Sequence, residues 1–501
     1  MKITLTKTEA KIFADLMQVV SAKTPETVLR VAGGFVRDKL LGKESNDIDI
    51  TVSNMTGEQF ARLIDSKRVT IVKANPDQSK HLATAMIELH GLSIDFVNLR
   101  TETYSDSRIP EMQMGTPEED AMRRDLTLNS LFWNINTGEI EDYVGGIEDL
   151  ENRIARTPTD PVQTFLDDPL RILRTVRFAA RFGLAIDLDL ISAAQRPDVQ
   201  EAFRTKISSE RIWAELAGKK EGDKWKPGAL TGPNPSLAVF LLKELGLMEA
   251  IFDPSEEEMK ALGLSERMVP WETDQDNPHH AFDIWNHTLL VFSHLVNRTS
   301  DDVRQDHETY LVRNLVALLH DIGKRYVGIQ GKSAKGHTNY HGHEETSAQI
   351  TEVVLTRLHA PLNIVKRVCK LIEVHLRPHI FIEQSSSRAF RKFVRGFEDW
   401  NHSIDVAIAD SLGKKYFNKE ESKSEVQKYE DLRLKIMEAL PRDGGKVVTT
   451  IPRPINGHDL IGLGIKPGPI MGQIMNTIDE ALLDDPLLSR ESALQIARTL
   501  L

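Results

Sequence analysis

Cysteine is almost missing from these 501 residues, since Cys369 stands alone. An internal disulfide and a thiolate zinc cluster are therefore both excluded. No run of about 18 apolar residues occurs, so no membrane-spanning helix is expected. The opening stretch MKITLTKTEAKIFADL has neither a continuous apolar core nor a small-residue cleavage site, and its Glu9 and Asp15 argue against a transit peptide. A cytoplasmic protein with no membrane partner is the expectation. Internal repeats and low-complexity tracts are absent as well. So is an excess of positive charge, the formal net charge being −11. Net charge is a global average, however, and binding a phosphate backbone needs only a local basic stripe. Two stretches offer one: KKEGDKWKPG, Lys219 to Gly228, and RAFRKFVR, where Arg388, Arg391 and Arg395 share a helical face.

What is present is a globular composition, 40% apolar and 27% charged, in a chain long enough for about three or four domains. Up to about Asp149, β-rich segments such as VTIVKA, TAMIELHG, SIDFVNL and SLFWNI alternate with helical patterns, which reads as α/β. From about Phe165 the apolar period is helical, as in PLRILRTVRFAARFGL, and stays so almost to the end. Pro/Gly-rich breaks at WKPGALTGPNP and PRPINGHDLIGLGIKPGP suggest domain or subdomain edges.

Within GGFVRDKLLGKESNDIDI several features fall together. After a strand ending Arg30-Val31-Ala32, Gly33 and Gly34 let the backbone approach a ligand closely, and a helix starting there aims free amides at anionic oxygens. Arg37, one turn in, is expected to reach the same phosphate bidentately. On the strand NDIDITV, period-two geometry sends Asp47 and Asp49 to one face and Ile48 and Ile50 to the core. Two carboxylates so close repel each other, and a pair of hard divalent cations removes the problem. Asp95, on the later apolar strand SIDFVNLR, is a candidate third carboxylate.

Each signal alone is weak. Their order and spacing, GG then VRD then DxD on a strand, resembles the nucleotidyltransferase superfamily signature, in which two metals serve the attacking hydroxyl and the triphosphate. RRDLTLNSLFWN resembles the RRDxTxNAL element of class II tRNA nucleotidyltransferases and bacterial poly(A) polymerases. DYVGGIEDL, DDPLRILRTVRFAARFG and SSERIWAEL are similar to the elements that follow it, in order, so the resemblance runs from about Leu29 to Leu216. It implies a CCA-adding enzyme that builds the tRNA 3′ end from CTP and ATP with Mg²⁺. It further implies that Arg124, Arg174 and Arg177 bind the incoming nucleotide while Asp125 and Asn129 help to hold its ribose and phosphates. The polar segment RTETYSDSRIPEMQMGTPEED, expected to be a loop, corresponds to a flexible loop that the family needs for switching from C to A addition. FVNLRTETY and GTPEEDAMRRD are closer to the family's eukaryotic members.

Asp168 and Arg171 are three apart on an expected helix, hence neighbours on one face. A carboxylate only accepts hydrogen bonds and a guanidinium only donates them. Cytosine and adenine both present an amino donor beside a ring-nitrogen acceptor, whereas uracil and guanine present the reverse. An Asp/Arg pair can therefore stand in for a template base, and mismatches at such a pair discriminate strongly. The family's EDxxR element has this role; here Asp167 takes the place of its Glu.

The second half holds another constellation. His287, the pair His320-Asp321 in VALLHDIGK, His343 beside Glu344, His375 and Asp410 lie in apolar helical stretches. Such groups are costly to bury unless they serve a metal or one another. Histidine and aspartate suit Mn, Fe, Ni, Zn or Mg with a bound water as nucleophile. The H…HD…D pattern resembles the HD phosphohydrolase superfamily on His287, His320, Asp321 and Asp410, and His343 and His375 would permit two metals. Fused to CCA enzymes, such domains imply phosphatase, 2′-nucleotidase or 2′,3′-cyclic phosphodiesterase activity.

The expected architecture is thus an α/β nucleotidyltransferase head (mixed sheet with helices, 1–150), then a largely all-α neck/body (151–265), an all-α HD domain (266–425) and a helical tail (426–501). Two other readings compete with a CCA enzyme carrying an HD phosphohydrolase: a poly(A) polymerase of the same superfamily, and an HD hydrolase whose nucleotidyltransferase half only binds RNA.

Overall fold

The computed structural model describes residues 3–500 apart from 46, 73–83, 104–110, 265–267, 276–279, 328–339, 384–385, 444–445, 448 and 450–451. The chain forms two compact units, Met1–Asp253 and Pro254–Leu501.

The first unit is built on a mixed seven-stranded sheet. In chain order its strands are β1 (Leu29–Ala32), β2 (Ile48–Val52), β3 (Thr70–Val72), β4 (Thr84–Leu89) and β5 (Leu92–Asn98). After a separate hairpin of β6 (Arg100–Thr103) and β7 (Glu111–Met114) come β8 (Phe132–Asn134) and β9 (Ile140–Glu141). The spatial order is β3-β4-β5-β2-β1-β8-β9, and only β2 and β5 run parallel. Alternation does the sorting: Ile48, Ile50 and Val52 are buried in one core with Ile94 and Phe96, while Asp49 and Asp95 point away from it. The helix Lys7–Lys23 covers that core with Ile12, Phe13, Leu16 and Val20, and a capping box of Thr6 and Glu9 fixes its start.

Two expectations change here. The polar segment after β5 is not a plain loop, because β6 and β7 pair and a capped helix, Pro117–Met122, follows; its middle, 104–110, lies outside the described residues. The helix expected through DDPLRILRTV is broken. Pro161–Asp167 ends at an extended Asp168, and a new helix runs Leu170–Phe182. Pro169 is the reason, since a proline disfavours helical backbone in the residue before it. WKPG falls within the first unit, where Gly218–Glu221 and Lys224–Pro227 pair as a hairpin.

The second unit is almost wholly helical among the described residues. Its core helices are Ile284–Arg298, His307–Leu319, His343–Arg357, Leu362–Val374 and Trp400–Gly413, with the 21-residue helix Lys419–Ala439 alongside. Arg388, Arg391 and Arg395 do share a face, but it is turned inward on the tail helix Pro469–Asp484. Arg388 meets Glu480 and Asp484, Arg391 donates to the Leu483 carbonyl, and Arg395 meets Asp479. That stripe is a staple between helices rather than a basic surface. No helix of the described residues is long and apolar enough to cross a membrane.

Candidate functional site

In the first unit, the parallel register sets Asp49 directly beside Asp95 across β2 and β5. Asp47 precedes β2 on the same face, and one carboxylate oxygen from each of the three lies within 4.8 Å of the others. Burial, then the charges of Asp47 and Asp95, push the Asp49 carboxyl up to about 6. Burial and Asp47 also raise Asp95. Three converging oxygen donors that resist ionisation together fit a hard divalent cation. The Lys226 ammonium, from the hairpin, lies 3.3 Å from Asp47 Oδ2.

Beside this cluster the helix Leu170–Phe182 and the turn through Arg123–Asn129 carry a lattice of guanidiniums and carboxylates. Asp125 is buried, accepting from Asn129 Nδ2 at 2.9 Å and from Arg174 at 2.7 Å. Burial alone would raise its carboxyl, yet Arg174 and Asn129 hold it well below the usual range. Arg177 pairs with Glu215, which also reaches Arg174. Arg124 donates to Asp120 and to the Asn129 carbonyl. Arg37 stands in the helix Gly34–Leu40, with its guanidinium engaged inside the protein. It is buried, gives its guanidinium to Asp38 and Asn129, and lies over the Phe178 and Phe182 rings. Asp120, Arg211 and Glu215 were missed by the sequence reading, although PEED and SSERIWAEL carried them.

Asp168 and Arg171 are adjacent but not on one helix. Asp168 gives a carboxylate oxygen to Arg211 at 2.9 Å, and Arg171, buried, donates to the carbonyls of Arg123 at 2.7 Å and Thr164. The Asp168 carbonyl accepts from the Arg171 amide, so the two still flank one step of backbone.

Gly33 has φ +67°, and a Cβ there would stand 2.6 Å from Arg124 Nη1. Gly34 has no such crowding, its nearest neighbour being Arg37 at 3.5 Å. Gly33→Ala should therefore cost at least about 1 kcal/mol in left-handed backbone alone. It should lower Tm by about 2–4 °C and raise the KM for nucleotide, because Arg124 must move; Gly34→Ala should do far less. Differential scanning fluorimetry and steady-state kinetics of the two variants check this.

The second unit gathers every residue of the other constellation. His287 lies within the helix Ile284–Arg298, His320 and His375 cap the C-termini of two others, His343 begins a fourth, and Asp410 lies in Trp400–Gly413. All six, with Asp321, are buried. They form two sets of potential ligands, His287/His320/Asp410 and Asp321/His343/His375. Asp321 joins them, with Oδ2 3.2 Å from His287 and Oδ1 3.1 Å from His343.

Each imidazole spends Nδ1 on a backbone carbonyl: Gly413 for His287, Ala317 for His320, Tyr340 for His343 and Ile372 for His375. For His320 the acceptor lies in the last turn of a helix, where carbonyls lack an intrahelical partner, and the Ile372 carbonyl takes both the amide and Nδ1 of His375. This holds Nε2 inward, the arrangement that suits metal ligation. The buried Nε2 atoms of His287, His320 and His343 converge on carboxylate oxygens of Asp321 and Asp410 at 3.1–3.4 Å without forming well-aligned hydrogen bonds to them. Burial pushes His375 down to about 3, keeping it in the neutral, ligating form. Such a donor set fits a divalent transition metal or Mg²⁺. Asp321, His343, His375 and Asp410 border a cavity of about 240 Å³ that also takes in His280, Lys324 and Lys414. Lys324 contacts Asp321 at 2.7 Å, Lys414 contacts Asp410 at 3.2 Å, and His379, hydrogen-bonded to Tyr429, reaches Asp410 at 2.7 Å. The sequence reading passed over these four, although His280 and His379 stand in the NPHH and LRPH stretches that drew attention to their neighbours.

Residues 29–156 match the poly A polymerase head domain and residues 285–415 the HD domain. The mitochondrial CCA tRNA nucleotidyltransferase of Saccharomyces cerevisiae is 44% identical over 273 residues, covering 50% of this chain and 48% of its own. The tRNA nucleotidyltransferase cca2 of Schizosaccharomyces pombe is 44% identical over 276 residues, 51% of this chain and 55% of its own. The chain thus matches about half the length of these curated relatives. A CCA-adding enzyme solved in complex with CTP superposes with a TM-score of 0.60 at 20% identity, over 99% of this chain and 96% of that one. The Thermotoga maritima CCA-adding enzyme complexed with tRNA gives 0.56 at 19%, over 99% and 97%. At such identities the likeness is one of fold.

Proposed function

We propose that this chain, which joins a poly A polymerase head domain to an HD domain on the fold of the CCA-adding enzymes, adds the terminal CCA to tRNA from CTP and ATP. The observation that carries the reading is the Asp47/Asp49/Asp95 cluster, with Arg124 near enough to act on Asp49 and the neighbouring Arg123 carbonyl held by Arg171 of the Asp168–Arg171 step. The RNA 3′ hydroxyl attacks the α-phosphorus, its bond to oxygen forms as the bond to pyrophosphate breaks, and the hydroxyl proton leaves to solvent. Mg²⁺ held by the three aspartates would supply charge neutralisation of the triphosphate and of the attacking oxygen. Arg124, Arg174 and Arg177 offer donors to the nucleotide, and Asp125 and Asn129 fix the turn from which they act. Gly33 makes room for Arg124. Asp168 accepts from the amino group of C or A, with Arg171 or its neighbour Arg211 donating to the ring nitrogen. The finer division at 1–150, 151–265, 266–425 and 426–501, and a cytoplasmic location, belong to this proposal.

The HD domain completes it as a metal-dependent phosphohydrolase acting on phosphorylated ends, 2′,3′-cyclic ends among them. Its converging imidazoles and carboxylates support a metal, and its lysines support an anionic substrate.

The test incubates purified protein and Mg²⁺ with tRNA lacking CCA, offering CTP, ATP, UTP and GTP singly and together. Addition of C, C and then A is expected; a long A tail would point to a polymerase, and release of phosphate alone to a hydrolase. Asp168→Ala should lose base choice by about 100-fold or more while still using its metals. Retained choice would transfer that role to Arg171 and Arg211 alone.

A further inference from the structure

The hairpin Gly218–Pro227 has no role in the reaction as drawn, yet its composition is unusual for this acidic chain. Lys219 to Pro227 are all exposed. Four lysines face two carboxylates there, and Trp225 is 45% exposed. The register pairs Lys219 with Lys226, Lys220 with Trp225 and Glu221 with Lys224. One face therefore carries Lys219, Lys224 and Lys226 against a single Glu221, and the other sets Trp225 beside Lys220. Two lysines directly opposite each other destabilise a ladder, and a two-stranded hairpin with no buried face is marginal on its own. Only its root is tightly built. A Cβ on Gly228 would fall 2.3 Å from the Gly218 amide, and Thr231 Oγ1 bonds both the Gly228 amide and the Ala217 carbonyl. A rigid root carrying an exposed, self-repelling cationic ladder gains stability from a polyanion.

The hairpin also has a fixed address. Lys226 Nζ bridges Glu221 at 2.8 Å and Asp47 at 3.3 Å, so its charged face adjoins the three-aspartate cluster. We infer that this hairpin is a binding finger for the single-stranded 3′ end of the RNA substrate, Trp225 stacking on a base and Lys219, Lys224 and Lys226 pairing with phosphates. An exposed aromatic among lysines is the usual platform for single strands, which are held by stacking and by backbone charge without reading sequence. Sequence-indifferent grip suits an end whose last bases change at each addition. The inference rests on the nucleotide-adding reading above for the identity of the RNA.

The experiment measures binding of 5′-labelled tRNA lacking CCA by fluorescence anisotropy in EDTA, across a salt series, so that no chemistry is needed. Trp225→Ala should weaken binding about tenfold or more. The double variant Lys219→Ala/Lys224→Ala should reduce the slope of log K against log salt by about 1.4, or about 0.7 per lost phosphate contact. Tm and the KM for CTP should stay at wild-type values in both, since every substituted side chain is exposed. Wild-type RNA affinity and salt slope in the variants would overturn the inference, as would a raised KM for CTP with RNA binding unchanged, which would give the finger to the triphosphate. A wild-type protein that adds no nucleotide would instead sink the functional reading, while loss of RNA binding in the variants would still support the finger.

Discussion

Asp49→Asn should abolish nucleotide addition, by about 1,000-fold or more, while leaving the protein at least as heat-stable as before. The two halves of this result have one cause. Asp49 is half-buried between Asp47 and Asp95, and its carboxyl is raised to about 6 by burial first and by those two charges next. The folded, metal-free protein therefore disfavours the ionised form, and ionisation costs stability as pH rises from the unfolded value near 3.8 through about 6. Above neutrality an asparagine keeps the shape and removes that repulsion, so Tm should hold or rise. What disappears is an anionic oxygen from the metal set, and with it the charge that balances the triphosphate. The same sign applies to the cation: affinity for Mn²⁺, used as a probe, should fall as pH drops below about 6, because the proton competes for Asp49. Calorimetric titration with Mn²⁺, a melt and a CCA-addition assay decide the matter together. Activity lost with a lower Tm would mean that Asp49 only holds the sheet, and activity retained would remove the aspartate cluster from the reaction.

Much of this site was legible because it lies on elements whose periods are short and strict. Once NDIDITV is a strand, Asp47 and Asp49 must share a face, and the parallel partner places Asp95 in register. The HD residues were legible for a different reason: charged and imidazole groups in apolar helices have few uses besides ligation.

What escaped was pairing over long sequence distance. Nothing local says that Arg37 turns inward to Asn129, 92 residues away, or that Asp168 meets Arg211 rather than a neighbour on its own helix. The arginine stripe at 388–395 failed similarly, its helical face being correct and its partner, the acidic side of Pro469–Asp484, invisible from periodicity. The Pro169 break was readable in principle, since the residue before proline is biased away from helix, but the strong apolar period on either side concealed it.

Asp321→Asn should strip the second unit of bound metal and of any phosphohydrolase activity, by about 1,000-fold or more, with CCA addition by the first unit retained. Asp321 addresses both ligand sets, Oδ2 facing His287 and His320 and Oδ1 facing His343. Burial would raise its carboxyl, but Lys324 and then His320 hold it well below the usual range, so it is a carboxylate at any working pH. Asparagine keeps a carbonyl oxygen toward one set, presents an amide N–H to the other, and removes the charge that both share. It also leaves Lys324, buried and otherwise bonded to Gln275, without its counter-charge. Breaking such a buried pair costs about 3–5 kcal/mol, so the variant should melt at lower temperature, in contrast to Asp49→Asn. Because a lowered Tm could itself explain lost activity, the deciding readout is metal content by mass spectrometry on folded protein, checked by far-UV circular dichroism. His375→Ala, which removes a ligand from one set only and breaks no ion pair, should retain part of the metal. Full metal content in a folded Asp321→Asn protein would show that this carboxylate is not a required ligand, and that the imidazoles and Asp410 hold the metal without it.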